Sequence, residues 1–326
     1  MNKEFEFWQF IASHLKDGER VMLLVVATSS GSSPGRSGYK MAVSADGELC
    51  GSIGGGVMEV NLVEQSRGLL SDPGGTANGF PAATLVEQVH QKNSTDPSGM
   101  ICSGKQTVIL KRLTSDDAAT IDSIAANLLQ RNTAAFEISN VKFQIVENET
   151  DRSRRRFSRT SESEFVYTET LGTENRLFII GGGHCALALS ELMSKLDFRI
   201  SIFDDRPDLN TIEKNEFADE ITIVDGYENI GNHIPGGDNV YVVVMTLGYR
   251  YDEIVIRSLF YHNFKYFGVL GSRAKMNALM TGLEKEGFDT EKLAQIHTPI
   301  GLPINSRTPE EIAVSIAAEL IKIKNQ

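Results

Sequence analysis

Residues 177–204 read LFIIGGGHCALALSELMSKLDFRISIFD, and this stretch decides the fold. The apolar run at residues 177–180 is typical of a buried strand, and a helix pattern begins at His184, directly after three glycines. Residues 199–203 indicate a second strand, which ends at Asp204. A glycine turn between strand and helix, with an acidic residue about 20 positions later, is the fingerprint of a dinucleotide-binding βαβ unit. The stretch therefore predicts a Rossmann-like domain.

The chain after this unit continues the same alternation. Apolar strands are predicted at residues 221–224, 240–245 and 267–270, with helical stretches between the later ones. Such alternation predicts a doubly wound parallel sheet with right-handed crossovers. Residues 308–311 (TPEE) carry the signature of a capping box and predict the start of the last helix. The predicted buried stripe of that helix comprises Ile312, Ile316, Ala317, Leu320 and Ile321.

The first half of the chain predicts a less regular α+β domain. The turn Asp46-Gly47 favours a hairpin between strands at residues 39–43 and 48–52. The other predicted elements are a buried strand at 21–27, helices at 57–70 and 116–130, strands at 136–146 and 165–170, and a glycine- and proline-rich loop at 71–83. The basic run at 151–159 is predicted to be a solvated hairpin tip, with an anion or docking patch as the alternative. We place the domain boundary near residue 172, giving domains of residues 1–171 and 172–326.

Composition excludes several classes of protein. The 326 residues include 32 basic and 43 acidic side chains, for a net charge of −11, which is unlike the basic footprint of a nucleic-acid-binding protein. No apolar run approaches the ~20 residues of a membrane span, and no signal peptide is visible. The three cysteines are too few and too scattered for a disulfide framework or a CxxC metal site. We expect a reduced, cytoplasmic protein without a metal site.

Candidate binding residues in the second half follow the predicted sheet edge. Gly181 and Gly183 let the backbone approach a pyrophosphate, and Asp204 could accept hydrogen bonds from a ribose hydroxyl. The alternative is a turn that keeps its shape and binds nothing. Residues 271–273 (GSR) form a second anion site or a plain helix cap, and Thr246 follows a strand at the same edge.

Three glycine- or serine-rich loops supply the candidates in the first half. Residues 31–38 carry Arg36, which could pair with a phosphate, and residues 54–56 (GGG) open a helix with Glu59 in its first turn. For Glu59 the alternative is simple complementarity to the helix dipole. Cys102 lies in a third loop and is a candidate reactive thiol. Cys50 and Cys185 are predicted to be inert buried residues.

Motifs spread over nearly the whole chain together resemble the xanthine dehydrogenase accessory factor family (XdhC/CoxI). The matching motifs are residues 31–41 (GSSPGRSGYKM), 51–59 (GSIGGGVME), 102–104 (CSG), 180–184 (IGGGH), 203–207 (FDDRP), 270–275 (LGSRAK), 299–303 (PIGLP) and 308–316 (TPEEIAVSI). The chain departs from the family pattern at Leu247, where histidine is usual, at Gly35-Arg36, where arginine usually follows the proline, and at Ser103, where glycine is usual.

The resemblance implies a protein that binds the molybdenum cofactor, protects it while a terminal sulfur is installed, and hands it to an apo-enzyme of the molybdenum hydroxylase class. A sulfur donor of the cysteine desulfurase type is a further implied partner, and we expect a homodimer. NAD(P) or another adenine nucleotide is a candidate ligand of the Rossmann-like domain. The candidate cofactor-binding residues are Ser32, Ser33, Arg36, Gly54, Gly55, Gly56, Glu59, Cys102, Gly181, Gly183, His184, Asp204, Arg206, Thr246, Gly271, Ser272 and Arg273.

Two other interpretations stay open on the sequence. One is an NAD(P)-dependent oxidoreductase that uses the Rossmann-like domain, although the sequence shows no convincing acid–base set beyond the glycine fingerprint. The other is a scaffold that only docks the hydroxylase. We therefore identify no catalytic residue and expect an accessory protein rather than an enzyme.

Overall fold

The computed structural model describes residues 3–71, 83–90, 104–147, 154–161, 164–196 and 198–326. The chain divides into two compact units, Met1–Thr173 and Glu174–Gln326. Among the described residues, no helix combines the length and the apolar character that crossing a membrane requires.

The N-terminal unit contains two antiparallel sheets, with strand orders β3-β2-β1-β5-β4 and β7-β6-β9-β8. Its elements are α1 (Lys3–Lys16), β1 (Val21–Gly31), β2 (Lys40–Ser44), β3 (Leu49–Gly51), α2 (Gly56–Ser71), β4 (Ala83–His90), β5 (Gly104–Leu113), α3 (Ala118–Leu129), β6 (Ala134–Ser139), β7 (Phe143–Val146), β8 (Arg155–Arg159) and β9 (Phe165–Leu171). The predicted hairpin at Asp46-Gly47 and the helix that follows it are confirmed.

The first seven residues of β1 are apolar because both faces of this part of the strand are buried. Leu23 and Val25 face a core shared with α1, α3 and the second sheet, where Trp8 is fully buried. Met22 and Leu24 face a second core under α2. A strand covered on both faces has no polar alternation, and this is why residues 21–27 read as a continuous apolar run.

Two predictions for this unit were wrong in detail. Residues 136–146 form the hairpin β6–β7 rather than one strand, since the chain turns where the Ser139 backbone N–H donates to the Lys142 carbonyl at 2.9 Å. The Ser139 hydroxyl also accepts from the Lys142 N–H at 3.2 Å, a local side-chain bond that favours turns. The described part of the basic run forms β8, an edge strand paired with β9, and not a hairpin tip.

The C-terminal unit is a parallel sheet of strand order β12-β11-β10-β13-β14, as a doubly wound Rossmann-type domain requires. Its elements are β10 (Asn175–Ile180), α4 (His184–Met193), β11 (Phe198–Asp204), α5 (Asn210–Glu213), β12 (Glu220–Ile223), β13 (Gly237–Val244), α6 (Tyr249–Leu259), β14 (Phe264–Val269), α7 (Arg273–Lys285), α8 (Thr290–Leu293) and α9 (Pro309–Lys324). The predicted fold class is confirmed.

The capping box of α9 is also confirmed. The Thr308 hydroxyl accepts from the Glu311 N–H at 3.2 Å, and the Glu311 carboxylate accepts from the Thr308 N–H at 3.3 Å. The buried stripe differs at its end, because Ile321 is 37% exposed while Ala313 is buried. The buried apolar stripe therefore comprises Ala313, Ile316, Ala317 and Leu320.

Candidate functional site

Three glycine positions bring the N-terminal motifs together by backbone contact. A Cβ atom placed on Gly54 would lie 2.7 Å from the carbonyl carbon of Pro34, and one on Gly104 would lie 2.7 Å from the carbonyl carbon of Ser32. Gly35 is equally enclosed, because its Cβ would lie 2.7 Å from the side chain of Gln106. Backbones can approach this closely only where a side chain is missing. The loop at residues 31–38, the loop before α2 and the start of β5 thus form one cluster.

A chain of buried amides holds this cluster together. The Gln106 side-chain oxygen accepts from the Ser33 hydroxyl at 2.8 Å and from the Gly35 N–H at 3.3 Å. Its Nε2 donates to the side-chain oxygen of Gln88 at 2.7 Å, and Gln88 donates in turn to the Met58 carbonyl at 3.1 Å. Ser33 was predicted to contact a cofactor, but its hydroxyl points inward and supports the loop. Gln88 and Gln106 were not predicted, because the residue pattern of a strand does not show which polar side chains hydrogen-bond to each other inside the protein.

The Glu59 carboxylate occupies the donors that were predicted to cradle a phosphate. Its Oε2 accepts from the Ser52 hydroxyl at 2.7 Å, the Ile53 N–H at 2.8 Å and the Gly55 N–H at 3.0 Å. Burial opposes ionisation of Glu59, but the hydrogen bonds from Ser52, Gly55 and Ile53 outweigh it and hold its pKa below the ordinary value. Glu59 thus takes the place that an external anion would occupy in this loop. This role is more specific than complementing the helix dipole.

The exposed side of the cluster carries the remaining candidates. Ser32, Arg36 and Gly56 are exposed, and within the described part of the chain the Arg36 guanidinium makes one long hydrogen bond, 3.4 Å to the Gly31 carbonyl. A Cβ on Gly55 would meet nothing within 4 Å, so this glycine borders open space. Cys102 lies outside the described residues, and Gly104 is the first described residue after it.

The glycine turn of the C-terminal unit has one closed and one open side. Gly181 has a φ of +106°, and its Cβ would lie 2.6 Å from the Met245 carbonyl carbon, so only glycine fits there. Gly183 is the N-cap of α4, and a Cβ on it would meet nothing within 4 Å. His184, the first residue of α4, is exposed. The open side lies between β10 and β13, where the strand order reverses and open α/β sheets bind ligands.

The role predicted for Asp204 is corrected by its contacts. Its side chain is inaccessible to solvent, and Oδ2 accepts from the Gly182 N–H at 2.6 Å. Arg206 binds it in a fork, with Nε 2.9 Å from Oδ1 and Nη2 2.8 Å from Oδ2. Burial opposes ionisation of Asp204, but the Arg206 side chain and the Gly182 N–H hold its pKa below the ordinary value. Both oxygens are committed to the protein, so a ribose hydroxyl finds no free carboxylate here.

The remaining candidates in this unit also make internal contacts. The Thr246 hydroxyl donates to Asp252 at 2.6 Å, and burial raises the pKa of that carboxyl group. Ser272 is the N-cap of α7 and accepts from the Lys275 N–H at 3.5 Å, which matches the plain-cap interpretation of residues 271–273. Arg273 is exposed.

These features define a class of protein in which a Rossmann-type unit follows an antiparallel α+β unit with a glycine-lined loop cluster. The chain belongs to the XdhC and CoxI family, as the sequence resemblance predicts. The family model described as "XdhC and CoxI family" matches residues 14–77, and the one described as "XdhC Rossmann domain" matches residues 177–320.

Individual proteins are similar over most of the chain. The uncharacterized protein YqeB of Escherichia coli is 24% identical over 304 residues; the match covers 92% of this chain and only 43% of YqeB. A Bacillus subtilis protein, described as a probable xanthine dehydrogenase subunit, is 22% identical over 340 residues, covering 98% of both chains. A solved structure from Bacillus halodurans, described as a xanthine dehydrogenase, matches with a TM-score of 0.72 at 22% identity, covering 100% of this chain and 96% of that one. At this identity the structural match establishes the fold.

Proposed function

We propose that this protein is a xanthine dehydrogenase accessory factor that binds the molybdenum cofactor and supports its sulfuration and insertion into a xanthine dehydrogenase-type molybdenum hydroxylase. Family membership and the name of the Bacillus subtilis relative support the link to xanthine dehydrogenase. The observation that carries the binding proposal is the loop cluster of the N-terminal unit, where three signature segments meet at Gly35, Gly54 and Gly104.

The chemistry of the cluster suits the cofactor. Molybdopterin presents a phosphate, a hydrogen-bonding pterin and a soft sulfur–molybdenum end. The exposed Arg36 guanidinium and the Ser32 hydroxyl are donors for the phosphate, and the open space at Gly55 lets a flat ligand approach the backbone. Cys102 would supply the soft ligand for the sulfur–molybdenum end. Glu59 already occupies the inner donors, so we place the phosphate on the outer side, at Arg36.

The partners that follow from this proposal are the apo-hydroxylase, which receives the cofactor, and a cysteine desulfurase-type sulfur donor. We further propose a cytoplasmic homodimer. A scaffold that only docks the hydroxylase would need neither the loop cluster nor Cys102 for its function.

The test replaces each cysteine by serine. We expect Cys102→Ser to fold but to lose retention or transfer of the molybdenum cofactor by about tenfold or more, because a hydroxyl is a poor ligand for a soft metal centre. Cys50→Ser and Cys185→Ser are the controls, since burial, and in second place the charges of Glu6 and Glu310 respectively, raise the pKa of both thiols and keep them protonated. Each variant is loaded with the cofactor, and reconstitution of an apo-hydroxylase is measured. Equal transfer by all three variants would make the thiol a bystander.

We also propose that the C-terminal unit binds an adenine nucleotide through its phosphates at the open side of the glycine turn. Gly183→Val should fold, because a Cβ there meets no atom within 4 Å, but it should weaken nucleotide binding by about tenfold by blocking the approach to the α4 N-terminus. Gly282→Val, an equally open glycine inside α7, is the control. Calorimetric titration with ATP and with NAD measures both. No binding to the unmodified protein would make the turn structural, and steady NADH turnover with a carbonyl substrate would favour the oxidoreductase interpretation.

A further inference from the structure

The C-terminal unit contains a cavity that the proposed function does not use. Its volume is about 410 Å³, within the range of small-molecule sites. It lies beside the first half of β14, the edge strand of the sheet, and is closed by the segment that runs from α8 to His297. That segment is fixed to the strand, because the His297 N–H donates to the Phe267 carbonyl at 2.8 Å. The glycine turn, by contrast, follows the carboxyl end of β10.

The charged residues that line this cavity are basic. Lys265 and Lys292 both line it, and within the described part of the chain no acidic side chain does. The Lys292 ammonium lies 5.5 Å from the ring centroid of Tyr261, and neither lysine has an ion-pair partner among the described residues. In a chain of net charge −11, two unpaired cations beside one cavity favour an anionic occupant.

His297 also lines the cavity, and its ring is held in a fixed orientation by Glu319. The Glu319 carboxylate accepts from His297 Nδ1 at 3.0 Å, from the Tyr266 hydroxyl at 2.6 Å and from the Gly301 N–H at 2.7 Å. Burial opposes ionisation of Glu319, but the bonds from His297 and Tyr266 lower its pKa to about 2, so the carboxylate is charged at neutral pH and only accepts. Nδ1 of His297 must then carry a hydrogen. Nε2 makes no hydrogen bond within the described residues, and the side chain is one-third exposed.

Three phenylalanine rings form part of the wall. Phe260, Phe264 and Phe267 line the cavity, and the rings of Phe264 and Phe267 meet edge to face with centroids 5.7 Å apart. Flat apolar walls beside a cationic end suit a ring that carries one acidic group.

We propose that this cavity binds a small planar organic anion. Its acidic group contacts Lys265 and Lys292, and its ring packs against the three phenylalanines. The glycine turn recognises phosphates by backbone groups, whereas this cavity selects an aromatic acid by side chains, so the two sites take different ligands.

The test uses the full chain and two probes of equal shape. 2-Naphthoate carries the acidic group, and 2-naphthylmethanol replaces it by a neutral hydroxyl. Isothermal titration should show saturable binding of naphthoate, with the alcohol weaker by about tenfold or more, as expected for loss of a charge-assisted contact. Lys292→Gln and Lys265→Gln should each weaken naphthoate binding by about threefold to tenfold without changing the affinity for the alcohol.

Lys285→Gln is the matched control, because this exposed lysine ends α7 and does not line the cavity. It removes the same charge and should leave the affinity for naphthoate unchanged. The proposal is overturned if naphthoate does not saturate the protein, if both probes bind equally well, or if the control weakens binding as much as Lys292→Gln does.

Discussion

Gly54→Ala should lower the free energy of unfolding by about 3 kcal/mol or more, whereas Gly55→Ala should lower it by only about 1 kcal/mol. Both glycines have positive φ, +127° and +76°, so both substitutions strain the backbone. The difference is space. The new Cβ at Gly54 would lie 2.7 Å from the Pro34 carbonyl carbon and 2.9 Å from the Gly35 Cα, while the one at Gly55 meets nothing within 4 Å. Backbone atoms cannot swing aside as a flexible side chain would.

Urea denaturation of the two alanine variants measures this difference. Equal stability of the two variants would mean that the two loops are not in contact at Gly54. It would contradict the loop cluster described above.

Glu169→Gln should destabilise the N-terminal unit by about 3 kcal/mol, because it leaves a buried lysine without its counter-ion. The Lys40 ammonium lies 2.9 Å from Glu169 Oε1, and the two side chains are 11% and 2% exposed. The Tyr167 hydroxyl donates to the other carboxylate oxygen at 2.8 Å. The pair joins β2 of one sheet to β9 of the other, directly after the loop at residues 31–38.

A double variant tests whether the buried, unpaired charge is the cause of this destabilisation. Lys40→Met combined with Glu169→Leu removes both charges and should be less damaging than Glu169→Gln alone, since no charge is left buried. Glu64→Gln is the surface control, because the pair Arg67–Glu64 is largely exposed and contributes little. A Glu169→Gln variant no less stable than Glu64→Gln would show that the ion pair is not formed in solution.

The Rossmann-type unit could be predicted from the sequence because its signals are local. Each strand, glycine turn and helix follows the previous one within a few residues, and the capping box at Thr308 is contained in four. The N-terminal unit depends on distant pairing. Val21 lies opposite Leu113 across β1 and β5, and neither the inner strand β5 nor the edge strand β4 was predicted. Short apolar segments of this kind are interpretable only once their partners are known.

The sequence predicted where the glycine loops of the candidate site lie along the chain, but it did not predict the contacts that their residues make. The glycine loops occur at the predicted residues, but Glu59 accepts from the N–H groups of Ile53 and Gly55 in one loop, and Asp204 accepts from the Gly182 N–H in the other. Which N–H group a carboxylate reaches depends on how the segments pack in three dimensions, and the spacing of residues along the sequence does not give this information. The relay through Gln106 and Gln88 was missed for the same reason.

The Glu59 carboxylate makes ligand entry at its loop an exchange reaction. An outside anion reaches the N–H groups of Ile53 and Gly55 only when Glu59 has moved away, so the apparent dissociation constant is the intrinsic one divided by the open fraction. The empty loop stays ordered, because its donors are always occupied. The Glu59 carboxylate then competes with a bound anion for the same N–H groups. Because Glu59 belongs to the same chain, its local concentration does not fall when the protein is diluted. Such a loop favours rapid exchange of an anion at its inner donors over long retention, in agreement with the proposed position of the cofactor phosphate on the outer side, at Arg36.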